Sequence, residues 1–440
     1  MRLRTVKNDI PAGRPAYLLR RIGTVAIATA GLAVGAAPAQ QSPATDRISA
    51  LEQKLERSVQ LIEALSEKLR KIEAGTAGRD ETTRQQARIE SLEQQVSQVA
   101  DSVTRRGTEE GLVLRGFADA GLNSSSKAGG VAKGASLGNL SLYLTPQFGE
   151  RTKGLIELNF EFDRNGNLAT DLERLQLGYT FNDQATLWLG RFHTPYGYWN
   201  TAFHHGQQLQ TSVRRPRFLD FEDKGGILPA HTVGAWLTGG MRAGDGKLTW
   251  DVYGGNSPRI ADNTLNMNNA GSTNHNWTAG ANLGYAFGGR LEGLKAGGFF
   301  QRARVDDDAA VVNTTRLNFH GAYAVYDTKR WEHIIELYRF NNSDLTGASG
   351  THRSAAGVAQ FGYRSARWTT YARVERAALD QSDNYFARQT SGLSYTRQAF
   401  GLRFDLDAKS ALKLELARTR NTDRDPAQLS EALLQYAVRF

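Results

Sequence analysis

The sequence predicts an all-β transmembrane barrel of about 16 antiparallel strands, preceded by an N-terminal α-helical coiled coil. Three observations lead there. From residue 111 to the end, apolar and polar residues alternate with a period of two. The connections between the alternating runs are short and long by turns, as when tight turns lie on one side of a membrane and loops on the other. The last run, Leu434, Tyr436, Val438 and Phe440, alternates up to an aromatic C-terminus and fits a membrane-assembly signal.

Composition sets the bounds. The chain has 440 residues, no Cys, 45 Gly and a formal charge of +9, with a mean hydropathy of −0.47. Such hydropathy excludes a bundle of spanning helices, each of which needs roughly 20 apolar residues in succession. It leaves a barrel open, because a membrane strand needs only every second residue apolar. The absence of Cys excludes disulfides and thiolate chemistry.

Residues 1–39 read as a signal peptide. Arg20 and Arg21 precede an apolar run from Ile22 to Ala36, and Ala37-Pro38-Ala39 fits a small-x-small cleavage site. This segment holds six Lys/Arg and one Asp, so its removal lowers the charge from +9 to +4. Residues 40–110 then form a stalk and linker. Ile48, Leu55, Ile62 and Leu69 share one heptad position, and Leu51, Ser58, Leu65 and Ile72 share the other, among Glu, Lys, Arg, Gln and Ser. A narrow two-position seam predicts a coiled coil and hence an oligomer, with the choice of two or three helices left open.

The barrel occupies residues 111–440, which contain 38 of the 45 Gly. Alternation is clear in Ile156-Glu157-Leu158-Asn159-Phe160 and in Leu412-Lys413-Leu414-Glu415-Leu416. Candidate strands fall near 111–122, 137–148, 153–163, 172–181, 185–193, 230–241, 246–256, 275–288, 293–305, 311–327, 329–340, 352–364, 367–379, 389–406, 410–420 and 430–440. A soluble sandwich shows the same local alternation, so it is the order of connections that points to the membrane.

The third long connection, 194–229, carries three of the six Pro beyond residue 110 together with Tyr196, Tyr198, Trp199, Phe203, Phe218 and Phe221. A loop of that composition is built to fold rather than to wave in solvent, and folded inward it would constrict the lumen. Arg214, Arg215 and Arg217, with Lys224, His204 and His205, are the candidate anion-attracting groups. Asp220, Glu222 and Asp223 follow closely, so local ion pairing is an equal alternative. His204, His205 and His231 with Asp220 or Glu222 would be the residues of a hydrolytic or metal site. No HExxH, P-loop or GxSxG pattern accompanies them, and neither a metal nor another cofactor is expected.

The stretch Gly190-Arg191-Phe192-His193-Thr194-Pro195-Tyr196-Gly197 resembles the Gly-x-Phe-x-Thr-Pro-Phe-Gly segment ahead of the constriction loop in the phosphate-selective porin (O/P-type) superfamily. Length, stalk and C-terminal Phe are similar to its coiled-coil-bearing dicarboxylate-type members. The resemblance implies a homotrimer of sixteen-stranded channels with an inward third loop. The three Arg are candidates by their place in the loop, not by a motif match. The expectation is a non-enzymatic, passive outer-membrane porin for small hydrophilic solutes, anion-preferring, with its coiled coil in the periplasm. Its expected partners are outer-membrane lipid, further copies of itself, small anions, and peptidoglycan or a periplasmic protein; nucleic acid is not among them. The alternatives are a structural tether acting through the coiled coil and an outer-membrane hydrolase.

Overall fold

Leucines lie on the outside of this molecule and carboxylates on the inside. In the strand 410–421, Lys413 and Glu415 are 1% and 0% exposed, while Leu414 between them is 41% exposed. Water would not tolerate that arrangement around a whole sheet; hydrocarbon requires it. The inversion separates a membrane barrel from a soluble sandwich with the same alternation.

The computed structural model describes residues 114–126, 133–162, 168–203, 206–266, 275–309, 311–422 and 428–440. The signal segment 1–39, the coiled-coil seam from Ile48 to Ile72, and His204 and His205 lie outside the described residues. In chain order the strands are β1 (Leu114–Ser125), β2 (Gly134–Leu144), β3 (Thr152–Phe162), β4 (Leu168–Asn182), β5 (Ala185–His193), β6 (His231–Ala243) and β7 (Gly246–Asn256). A small hairpin follows, β8 (Arg259–Ala261) and β9 (Thr264–Asn266). The wall resumes with β10 (Trp277–Ala286), β11 (Leu294–Asp306), β12 (Thr314–Asp327), β13 (Trp331–Asp344), β14 (Thr351–Ser365) and β15 (Trp368–Ala378). It ends with β16 (Tyr395–Asp405), β17 (Ser410–Asn421) and β18 (Gln428–Arg439). Two one-turn helices, α1 (Trp199–Ala202) and α2 (Asn384–Ala387), interrupt the loops.

Each wall strand pairs antiparallel with its chain neighbour, β7 with β10 past the hairpin, and β18 with β1. The result is a closed sixteen-stranded antiparallel barrel, one strand for each alternating run, with no open edge. The short turns are set by local chemistry. Gln184 N–H donates to Asn182 Oδ1 at 2.9 Å, and the Thr328 hydroxyl accepts from Trp331 N–H at 3.0 Å. Asp407 accepts from Lys409 N–H and the Ser410 hydroxyl. Side-chain oxygens capping turn amides in this way are why Asn, Asp, Thr and Ser collect there.

Closure at the seam is continuous. β18 and β1 keep register from Phe117 opposite Arg439 to Ser125 opposite Glu431. Phe440 and Gly116 then exchange both main-chain bonds, at 3.0 and 3.1 Å. Leu434, Tyr436 and Phe440 face outward, all more than 40% exposed. Val438 shares that face, opposite Ala118.

The lumen is lined unequally. The inner faces of β11 to β14 carry Phe299, Leu317, Phe319, Val325, Ile334, Tyr338 and Phe340, all buried. The inner faces of β15 to β18 carry Arg373, Glu375, Arg397, Lys413, Glu415 and Glu431, also buried. Truncation before Gln428 removes β18 and opens the seam. We expect such a chain to lose the heat-modifiable mobility of a closed barrel in SDS gels; an unchanged mobility shift would contradict this closure.

Candidate pore constriction

What fills the lumen is the connection between β5 and β6, residues 194–230. Its two roots are tied together first. Thr194 N–H donates to the Ala230 carbonyl at 2.8 Å, and the Asn200 amide reaches both Thr194 O and Ala230 O. From there the chain turns inward because its aromatic residues find the apolar wall. Tyr196 is 1% exposed and meets the Phe319 ring edge-on at 5.3 Å, and Phe218 meets Tyr338 in the same way.

Buried main-chain groups need partners, and here the wall strands supply them. Glu336 on β13 accepts from Tyr198 N–H at 3.2 Å and Trp199 N–H at 2.9 Å, at the start of α1. Glu332 accepts from the Thr211 hydroxyl at 2.7 Å. Glu415 on β17 accepts from Val213 and Arg214 N–H at 3.1 and 3.2 Å, and Glu375 on β15 accepts from Arg217 N–H at 2.8 Å. Wall cations take the loop carbonyls. Arg373 donates to Arg214 O, Arg403 to Gln208 O and Gln210 O, and Lys413 to Gln207 O and Ser212 O. Arg397 completes the network against Glu415 at 3.4 Å and Glu431 at 2.6 Å.

Gly197 makes the Glu336 contact possible. Its φ is +65°, and a Cβ there would lie 1.8 Å from Glu336 Oε1.

The sequence-predicted residues take different places along this loop. Arg215 is 4% exposed. It donates to Leu219 O, Phe203 O and Asn200 Oδ1 and lies 4.4 Å over the Phe221 ring, so it clamps the loop to itself. Burial pulls its guanidinium below the usual arginine range, and the nearby charge of Asp220 opposes that shift. Arg214 and Arg217 are half-buried. Arg217 donates to Asn421 Oδ1 at 2.9 Å and stacks 4.7 Å over Tyr395. Lys224 is exposed and reaches across to Glu161 on β3 at 2.6 Å.

Two of the loop carboxylates, Glu222 and Asp220, have partners other than the three arginines. Glu222 accepts from Ala230 and His231 N–H and faces the His231 ring, whose other nitrogen lies 2.9 Å from Glu173. Asp220 accepts from Phe221 N–H at 3.1 Å. Neither makes an ion pair with Arg214, Arg215 or Arg217.

The sequence reading missed the wall partners. Glu332, Glu336, Arg373, Glu375, Arg397, Arg403, Lys413 and Glu415 hold the loop, and their signal was the polar half of each alternating strand. It also missed the β8–β9 hairpin, whose Ile260 and Leu265 join the apolar cluster inside.

With this geometry in hand, the chain can be compared with known proteins. It is similar in structure to an anion-selective porin from Comamonas acidovorans, with 12% identity, a TM-score of 0.50, and 75% of this chain and 99% of that chain covered. It is also similar to the outer membrane channel DcaP of Acinetobacter baumannii (13%, TM-score 0.46, 75% and 97% covered). The third is Salmonella typhi OmpF in complex with daunomycin (10%, TM-score 0.47, 75% and 97%). The fold is a porin barrel. No family model and no curated protein sequence matches the chain.

Two outcomes follow from the loop. Glu336→Ala leaves two buried amides without an acceptor and should cost about 3 kcal/mol, lowering the temperature of the gel mobility shift; Gly197→Ala should act in the same direction. An unchanged transition in both would show that the clamp is not needed. Burial also raises the phenols of Tyr196 and Tyr385 and pushes Tyr198 up to about 12 from its usual 10.0. The folded phenol keeps its proton where the unfolded one loses it. This stabilisation is therefore complete below about pH 10 and fades as pH rises towards 12. Ultraviolet titration of the native protein should show these phenolates absent at pH 11 and present after unfolding.

Proposed function

We propose that this chain is a passive outer-membrane porin for small hydrophilic solutes that prefers anions bearing carboxylate or phosphate groups. One observation carries the reading: a loop crosses the lumen, and the wall carboxylates beside its arginines are already committed to main-chain amides and wall guanidiniums. On the charged side of the lumen Arg373, Arg397 and Arg403 pair with Glu375, Glu415, Glu431 and Asp405, whereas Arg214 and Arg217 of the loop make no ion pair with a carboxylate among the described residues. The local excess at these two residues is cationic. In a narrow aqueous passage between low-dielectric walls, such an excess raises the local concentration of anions and lowers the cost of partial dehydration. Arg214, Arg217 and Lys224 are the groups we assign to the passage; Arg215 holds the loop that presents them. His204 and His205, which belong to the same loop, are assigned to the passage from the sequence alone.

The mechanism is diffusion through a filter set by loop position and sign of charge, with no chemical step and no cofactor. The outward leucines support an outer-membrane location, as does the likeness in fold to the Comamonas porin. A homotrimer is supported by the outer face of β1 to β4, which stays apolar to its loop end through Leu122, Leu137 and Leu172. The coiled coil, read from its heptads, would sit in the periplasm and help the copies assemble or reach peptidoglycan or a protein partner there.

Planar-bilayer recording of the purified protein tests this. We expect conductance steps with anion-over-cation permeability, and a reversal potential displaced towards the cation side when Arg214 and Arg217 both become Ala. A protein that gives no conductance would overturn the channel and favour the tether; an unchanged reversal potential would remove the assignment of these two arginines.

A further inference from the structure

The outer faces of the strands opposite the apolar β1–β4 arc end in a different way. Each runs from an aromatic ring at the short-turn end to an arginine at the loop end. The residues between are mainly aliphatic on β13 to β15 and include His320 and Asn318 on β12. On β13 the outward positions are Trp331, His333, Ile335, Leu337 and Arg339; on β15 they are Trp368, Thr370, Ala372, Val374 and Arg376. β12 and β14 read the other way along the chain, with Tyr326 to Arg316 and Tyr363 to Arg353. The ring and the guanidinium are thus eight positions apart on β13 and β15 and ten apart on β12 and β14. At about 3.4 Å per residue and a strand tilt near 40°, eight positions span about 20 Å along the membrane normal. The apolar band of an outer-membrane barrel is about 25 Å tall with aromatic girdles at both rims. Here the rim at the loop end is made of arginine.

The row is continuous across strand partners. Arg304 on β11 lies directly opposite Arg316, and Arg339 and Arg353 sit on adjacent strands, opposite Ala355 and Asn341. Arg376 and Arg420 flank the same residue of β16, Thr396. Five of these six arginines are exposed and Arg316 is half-exposed. None makes an ion pair with a carboxylate among the described residues. The strand carboxylates Glu332, Glu336, Glu375, Glu415 and Glu431 are buried on the inner face. Two directly opposed, unneutralised cations such as Arg304 and Arg316 repel one another, and a shared anion between them would remove that penalty.

We infer that this arc binds the phosphate groups of phosphorylated lipid in the outer leaflet, guanidinium to phosphate. The argument is one of charge and height. The groups are all arginine, whose planar fork matches phosphate oxygens in pairs. They stand where headgroups stand if the leucines below them stand in hydrocarbon, and the β1–β4 arc at the same height offers leucine. The arc that binds lipid and the arc that meets other copies would then be different parts of one circumference. This inference rests on the outer-membrane reading above but not on conductance.

The test uses the full-length protein in non-ionic detergent, mixed with bisphosphorylated lipid A or with the same lipid after dephosphorylation, and repurified by gel filtration. Fatty-acyl content per polypeptide is then measured, with bilayer conductance recorded from the same preparation. We expect about fivefold or greater retention of the phosphorylated lipid. That preference should be lost in the Arg339→Gln, Arg353→Gln, Arg376→Gln triple variant, with conductance unchanged. Equal retention of the two lipids, or an undiminished preference in a triple variant that still shows the gel mobility shift, would overturn it. Displacement of the lipid by inorganic phosphate alone would make this a site for the free ion and would also overturn it. If the triple variant does not fold, the two-lipid comparison on the native protein decides. Retained lipid preference without conductance would sink the channel and leave the arginine arc standing.

Discussion

The bond between an inward-facing carboxylate of the wall and a main-chain N–H of the third loop governs this structure. A strand in a membrane barrel satisfies its own main chain with its neighbours, but a loop crossing the lumen cannot. Glu336, Glu375 and Glu415 accept five loop amides between them. A buried carboxylate is costly by itself. For Glu375 and Glu415 that cost is offset because Arg373 lies 2.9 Å from Glu375 and 3.5 Å from Glu415, and Arg397 lies against Glu415 and Glu431; Glu336 has the Tyr338 hydroxyl and two amides instead. Removing Arg397 would leave Glu431 buried without its ion pair.

From that constraint the division of the lumen follows. The apolar wall of β11 to β14 takes the loop's aromatic side chains, and the charged wall of β15 to β17, together with Glu336 on β13, takes its main chain. Because the carboxylates are engaged in holding the loop, they are less able to neutralise the loop's own arginines. One set of contacts therefore fixes the position of the loop in the lumen and engages the carboxylates beside its arginines.

Much of this was legible in the sequence. All sixteen wall strands were, since alternation survives wherever one face meets lipid and the other does not; β5 and β7 begin and end where the runs at 185–193 and 246–256 do. The third loop was legible from its aromatic content, and its arginines from their clustering. What could not be read was which of three neighbouring arginines would be buried. Arg215 differs from Arg214 and Arg217 only in its place relative to Asn200, Phe203 and Leu219, which are brought near by the fold. The partners of the loop were invisible for a similar reason: Glu375 and Glu415 look like any polar residue of an alternating strand. The β8–β9 hairpin is too short to show a period at all.

The loop leaves the wall at β5 and β6, yet the residues that hold it are found far along the chain. The separations run from 121 positions, for Thr211 and Glu332, to 206, for Gln207 and Lys413. Contacts that distant form late, since the intervening chain must first be ordered. The loop therefore cannot take its final shape before the strands that hold it are paired. Until β13 to β17 are in place the loop has aromatic residues with no wall to cover them, and a factor that guides assembly would have to shelter that segment longest. Once the last strands close, the lumen narrows in the same event, so a half-assembled barrel would be wider inside than a finished one.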